Sequence, residues 1–219
     1  MIYNIAIDGP AGAGKSTIAR RVAKELSFIY VDTGAMYRAM ALYLLEKGIS
    51  GDEKISEACH DADISIRYEN GEQQVILNGK NVTAFLRKEE VGKTASTVAK
   101  YGKVREKLVS LQQKIASEND VIMDGRDIGT VVLPNAEVKI YLTASSRVRA
   151  ERRYKELQEK GETCDLDQIE KDIILRDEQD MNREISPLRQ ADDAVLVDSS
   201  DMSIEEVVNC LIDIVEKAK

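Results

Sequence analysis

The segment Gly9-Pro10-Ala11-Gly12-Ala13-Gly14-Lys15-Ser16 constrains this chain more than any other, because it satisfies G-x-x-x-x-G-K-S/T in a setting that gives the pattern meaning. Residues 3–7 before it form a short apolar run ending at Asp8, and Ile18, Val22 and Leu26 beyond it recur at helical spacing with Ala19 and Ala23 beside them. A strand, a tight glycine-rich loop and a helix are thus predicted in succession. Such glycines let backbone N–H groups turn toward phosphate oxygens, and the following helix points its positive end at the anion. Lys15 is then placed to reach the β- and γ-phosphates, Ser16 to put its hydroxyl on Mg2+, and Thr17 to add an N–H and a hydroxyl near the α-phosphate. ATP and Mg2+ are the expected ligands of this loop.

Four further apolar runs, at residues 28–31, 121–123, 138–142 and 194–197, read as strands. Most are near-continuous, the pattern of strands covered on both faces of a parallel sheet. Val104, Leu108, Leu111 and Ile115 share one helix face, and Ile204, Val207, Val208, Leu211, Ile212 and Val215 share another, with Ser203 and Glu206 spaced as a capping box. Strands alternating with helices predict an α/β domain with right-handed crossovers. One stretch departs from this: residues 64–68 alternate, Asn70-Gly71 is a hairpin turn signal, residues 74–77 follow, and Asn78-Gly79 makes a second turn. A small antiparallel insert is expected there.

The most apolar run, residues 39–45, is far below the roughly 18 residues that a membrane span needs. Residues before Asp8 carry no basic leader pattern, so neither secretion nor membrane insertion is expected. Cys59, Cys164 and Cys210 are widely spaced and include no C-x-x-C pair, which argues against a disulfide framework or zinc site and favours the cytoplasm. A net charge of −8 argues against a nucleic-acid partner and demands that cations be gathered locally wherever phosphate binds.

The cations are therefore the informative residues. Asp124 follows the apolar run at 121–123 and is placed to hold the Mg2+ shell through water; the alternative is a helix cap. Gly125-Arg126-Asp127 comes next, at the carboxyl end of a predicted parallel strand, where α/β ligands bind. A phosphate loop alone fits a GTPase, a motor or sensor ATPase, or a small-molecule kinase. No N-K-x-D guanine-reading segment is present. Arg38, Arg105, Arg126, Arg176 and Arg183 sit in motif-like settings, and a planar guanidinium suits phosphate clamping. Ten of the sixteen residues from 147 to 162 are charged, which fits either a solvated helix face or a mobile lid carrying cations. His60, in a polar stretch, reads as an exposed bystander.

Together, the segments at 9–17, 32–38, 75–87, 124–132, 150–153 and 176–188 resemble the bacterial cytidylate kinases, a branch of the nucleoside monophosphate kinases, over nearly the whole chain. The string Asp124-Gly-Arg-Asp-Ile-Gly-Thr-Val-Val132 is specific to that branch among the P-loop kinases. The resemblance implies transfer of the γ-phosphoryl of ATP to CMP or dCMP with Mg2+, by a cytoplasmic monomer. It implies a three-layer P-loop fold: a parallel core (about 1–36, 98–145 and 188–219), a monophosphate-binding region with the antiparallel insert (37–97) and a helical lid (146–187). Thr33, Tyr37, Arg38, Arg126 and Arg183 would hold the CMP phosphate; Ser96, Arg105 and Asp127 would read cytosine; Arg176 and Asp180 would meet the ribose. Thr33 stands where the family often has Ser, with the hydroxyl kept. Arg152 and Arg153 would meet the ATP phosphates from the lid, and Lys15, Arg126, Arg152 and Arg183 would carry the catalysis.

Overall fold

The computed structural model describes residues 2–219. The chain runs through β1 (Asn4–Asp8), α1 (Lys15–Leu26), β2 (Ile29–Asp32), α2 (Thr33–Glu46) and α3 (Asp52–Ala58). Strands β3 (Ile64–Glu69), β4 (Glu72–Leu77) and β5 (Lys80–Asn81) follow, then α4 (Glu89–Val98) and α5 (Gly102–Glu118). The remainder is β6 (Val121–Gly125), a π-helical turn at Ile128–Val132, β7 (Val138–Thr143), α6 (Ser146–Glu159), α7 (Leu166–Met181), β8 (Val195–Asp198) and α8 (Ile204–Ala218). These elements pack as two compact units, one built from Ile2 with Ile29–Val121 and the other from Tyr3–Phe28 with Ile122–Lys219.

The second unit carries the strand order β6-β1-β7-β8, with β1 parallel to β7 from Ile5↔Val138 to Asp8↔Tyr141, and β7 parallel to β8 from Ile140↔Val195 to Thr143↔Asp198. Both β1 and β6 are buried almost throughout, as continuous apolar runs predict. The outer strands differ. β7 alternates buried and half-buried positions, and β8 buries Val197 alone while Leu196 stands 56% exposed. Continuous apolarity marks a buried strand only where neighbours cover both sides, and β8 lies at the sheet's end.

Ile18, Ala19, Val22 and Ala23 of α1 are buried, as are Val207, Val208, Leu211 and Val215 of α8, and the two helices pack together. The capping box forms: the Ser203 N–H donates to Glu206 Oε2 at 2.8 Å, and the Glu206 N–H to Ser203 Oγ at 3.2 Å. Ile204, at the first turn, stays 45% exposed. The charged stretch becomes α6, whose Arg147 bridges to Asp167 of α7 at 2.8 Å and whose Glu156 pairs with both Arg153 and Lys160, the latter capping the helix end. Only Arg149 and Ala150 of α6 are buried.

In the first unit, the Asp32 side chain caps α2 by accepting the Ala35 N–H at 2.8 Å. The apolar run at 39–45 lies in that helix and is buried from Ala39 to Leu44, with α4 packed against it. β3, β4 and β5 form the antiparallel insert, registered from Ile64↔Leu77 to Glu69↔Glu72. Both turns take positive φ at both central residues, 54° and 77° at Asn70-Gly71 and 48° and 78° at Asn78-Gly79, as I′ hairpins require. Gln73 of β4 clamps the β2 backbone, accepting the Asp32 N–H at 2.8 Å and donating to the Asp32 carbonyl at 3.2 Å.

The α5 face differs from its sequence pattern. Val104 and Leu108 are buried, but the buried row continues through Gln112 and Ala116, while Leu111 and Ile115 are half-buried. The buried positions 104, 108, 112 and 116 thus follow the i+4 ridge of the helix rather than its apolar pattern. Among the described residues, no helix is long and apolar enough to cross a membrane.

Candidate active site

The phosphate loop leaves β1 through Gly9, where any Cβ would collide with the Leu142 carbonyl oxygen. It enters α1 at Gly14, whose carbonyl accepts the N–H groups of Thr17 and Ile18, both at 3.1 Å. Pro10 and Ala13 are buried, while Thr17 is exposed. Lys15, only 5% exposed, folds back so that its Nζ donates to the Pro10 carbonyl at 2.8 Å. Burial, and then the positive charge of Arg126, hold its pKa down to about 7 against the opposing pull of Asp124, Asp8 and Asp180.

Ser16 Oγ donates to Asp124 Oδ2 at 2.9 Å, joining the start of α1 to the end of β6. This hydroxyl–carboxylate pair offers the hard oxygen donors that Mg2+ prefers. Among the described residues there is no group of three or more His, Cys, Asp or Glu side chains that could hold a metal ion. Arg126 follows on the same strand end; its Nε donates to Asp180 Oδ2 at 2.9 Å and its Nη1 to the Gly125 carbonyl at 3.3 Å. Asp127 is buried and opens the π-helical turn, its carbonyl accepting the Val131 N–H at 2.9 Å. Lys15, Ser16, Asp124, Arg126 and Asp180 are thereby gathered in one unit.

The other cations of that unit are placed less uniformly. Arg152 Nη2 donates to the Ser199 carbonyl at 2.7 Å, and its Nη1 lies 3.9 Å from where a Cβ on Gly14 would sit. Arg153, beside it, is exposed and pairs along the helix with Glu156 at 2.8 Å. Arg183 Nη2 donates to the Ser186 carbonyl at 2.6 Å, and Arg176 is exposed on α7.

In the first unit, Thr33 begins α2 and is 3% exposed, Arg38 pairs with Asp32 at 3.1 Å, and the Arg105 guanidinium lies over the Tyr37 ring at 5.7 Å from its centroid. Arg105 is 4% exposed although it sits on a helix face. Ser96 Oγ donates back along α4 to the Gly92 carbonyl at 3.4 Å. His60 is exposed, as expected.

Two residues escape the sequence reading. Asp8, 5% exposed, accepts the N–H groups of Ile128 at 2.8 Å and Gly129 at 2.7 Å. Its one sequence signal is its place at a strand end directly before Gly9. Arg149, also 5% exposed, uses its whole guanidinium: Nε donates to the Ala144 carbonyl at 2.9 Å, Nη1 to the Ala11 carbonyl of the phosphate loop at 2.9 Å, and Nη2 pairs with Asp177 at 2.6 Å. Nothing in the charged run distinguishes it from its neighbours.

A phosphate loop whose serine meets an aspartate at the end of the neighbouring strand, with a half-buried arginine two residues on, is the arrangement that the sequence resemblance implies. The family model described as cytidylate kinase matches residues 5–217. The chain belongs to the cytidylate kinase family. It is 51% identical over 216 residues to a cytidylate kinase of Caldicellulosiruptor bescii, covering 98% of this chain and 96% of that relative. It is 52% identical over 220 residues to one of Pediococcus pentosaceus, covering 99% and 96%. The one from Thermosipho africanus is 50% identical over 220 residues, covering 100% and 97%. Among solved structures, a sugar kinase from Janibacter sp. HTCC2649 aligns at a TM-score of 0.50 with 11% identity over 99% of this chain and 95% of that one, a likeness of fold.

As a cytidylate kinase, the chain draws its phosphoryl group from ATP, and Arg149 is expected to matter for that substrate. Its grip on the Ala11 carbonyl fixes one wall of the phosphate loop, and a lysine can replace only one arm of the fork. Arg149→Lys should raise KM for ATP about tenfold and leave KM for the acceptor nearly unchanged. Steady-state kinetics with each substrate varied in turn will check this.

Proposed function

We propose that this kinase transfers the γ-phosphoryl group of ATP to CMP or dCMP, giving ADP and CDP or dCDP. The observation that carries the reading is the convergence of Lys15, the Ser16–Asp124 pair and Arg126 at the carboxyl ends of β1 and β6. Phosphoryl transfer passes through a loose transition state with charge spread over equatorial oxygens, so cations and positioning supply most of the catalysis and no nucleophilic side chain is required.

On this reading Gly9 to Thr17 cradle the ATP phosphates, with Arg152 and Arg153 approaching from the lid. Ser16 directly and Asp124 through water would hold Mg2+, which when bound would neutralise charge on the phosphates. Thr33, Tyr37, Arg38, Arg126 and Arg183 hold the acceptor phosphate, and Arg176 and Asp180 meet its ribose. Ser96, Arg105 and Asp127 read the base: a carboxylate accepts from the cytosine amine, while a guanidinium and a hydroxyl donate to its ring acceptors. Uracil presents an acceptor where cytosine has the amine, leaving a polar group opposed. The core, monophosphate-binding region and lid divide as residues about 1–36, 98–145 and 188–219, then 37–97, then 146–187. The proposed partners are small molecules alone, for a monomer acting in the cytoplasm without nucleic acid or membrane.

The test is ADP release from Mg2+·ATP with CMP, dCMP, UMP, AMP and GMP offered separately at equal concentration. Strong release with CMP and dCMP alone is expected. Flat traces with all five, from protein that still binds ATP, would overturn the reading in favour of an ATP sensor.

A further inference from the structure

We propose that Asp8 is a positioning residue, whose two side-chain oxygens hold the segment after β6 in register with the phosphate loop and so set Arg126 and Asp127 against the acceptor nucleotide. The inference rests on the acceptor roles proposed above for those two residues. Asp8 is the last residue of β1, and the residue after it opens the phosphate loop. Its backbone therefore belongs to the donor side of the site, while its side chain reaches a turn 120 residues later, at Ile128.

The turn needs such a partner. Ile128–Val132 is π-helical, with the Val132 N–H reaching the Asp127 carbonyl at 3.2 Å and the Leu133 N–H reaching the Ile128 carbonyl at 2.7 Å. A helical turn leaves its first N–H groups without intrahelical acceptors, and the first two here belong to Ile128 and Gly129. Asp8 takes both, one on each oxygen, at 2.8 and 2.7 Å. A carboxylate can accept both at once; an amide of the same shape would turn an NH2 toward one of them. π-helical turns of this kind recur at functional sites.

Gly129 packs beside the same contact. A Cβ there would stand 3.1 and 3.3 Å from the Lys139 Cδ and Cγ atoms, which must give by a few tenths of an ångström, and 3.4 Å from Asp8 Oδ2, an ordinary contact. Burial pushes the Asp8 pKa up to about 6, with Asp127 adding to the rise and the two N–H groups and Lys15 opposing it. A carboxylate kept buried against that cost is expected to do more than fill space.

Asp8→Asn in the full chain is the direct test, with Asp127→Asn beside it as a control on the acceptor reading. For Asp8→Asn we expect KM for CMP to rise about tenfold or more, the preference for CMP over UMP to narrow, and KM for ATP to change less than about twofold. Equal increases in both KM values, or a lowered melting temperature with unchanged KM for CMP and unchanged base preference, would overturn the positioning role. If Asp127→Asn keeps the full CMP preference while Asp8→Asn raises KM for CMP, the base-reading role of Asp127 fails and the Asp8 role stands through Arg126. Should Asp8→Asn not fold, Asp8→Glu keeps the carboxylate but pushes it one methylene further into the buried turn and must give the same split; wild-type KM for CMP in that variant would overturn the proposal.

Discussion

Replacing Lys15 with methionine is expected to lower kcat by about a hundred- to a thousandfold, the scale of losing one preorganised charge donor at a developing anion. Lys15 is almost fully buried, its Nζ donates to the Pro10 carbonyl, and Arg126 is near enough to depress its pKa. An ammonium held away from water in this way gains most when phosphate oxygens arrive to replace the missing solvation. The charge that costs the empty protein stability is thus the one that stabilises the transferring group. The same substitution should leave stability without nucleotide unchanged or raised, since a desolvated cation is exchanged for an apolar chain of similar length. The sign with pH follows: the folded pKa lies near 7 against 10.5 for an ordinary lysine, so the unfolded chain binds the extra proton in that window and stability rises with pH across it. Denaturation of both proteins from pH 7 to 10 should show a rise in the wild type that is smaller in Lys15→Met. A variant with near wild-type turnover at saturating ATP would remove Lys15 from the chemistry.

What the sequence made legible was local. The phosphate loop, the two Asn-Gly turns and the Ser203–Glu206 box each need particular residue types at fixed short spacings, and each is formed. Features that depend on distant partners were not legible. Asp8 gets its role from N–H groups 120 and 121 residues away. Arg149 is indistinguishable within ten charges in sixteen residues until Ala11 and Asp177 close on it. Gln112 is more buried than Leu111, an order that the apolar pattern of the helix alone does not encode. The acceptor residues lie in an intermediate class. Arginines suited to phosphate could be picked out one by one, but their division among phosphate, base and ribose came from family resemblance, with no spacing rule behind it.

Arg126→Ala is expected to lower kcat/KM for CMP by about a thousandfold, because it removes a charge-assisted contact to the acceptor phosphate together with a charge beside Lys15. It should also destabilise the fold by about 1–3 kcal/mol, since Asp180, whose side chain is only 13% exposed, loses its 2.9 Å partner. The two losses have different origins, and a second substitution separates them. Asp180→Asn in the Arg126→Ala background leaves no uncompensated carboxylate, so thermal stability should recover most of the deficit while turnover stays low. Were stability and turnover to recover together, Arg126 would be acting only as the counter-charge of Asp180. With activity in a stable double variant still far below that of Asp180→Asn alone, its guanidinium acts on the substrate, and the Lys15 pKa, relieved of the Arg126 charge, which outweighs that of Asp180, should rise in the same protein.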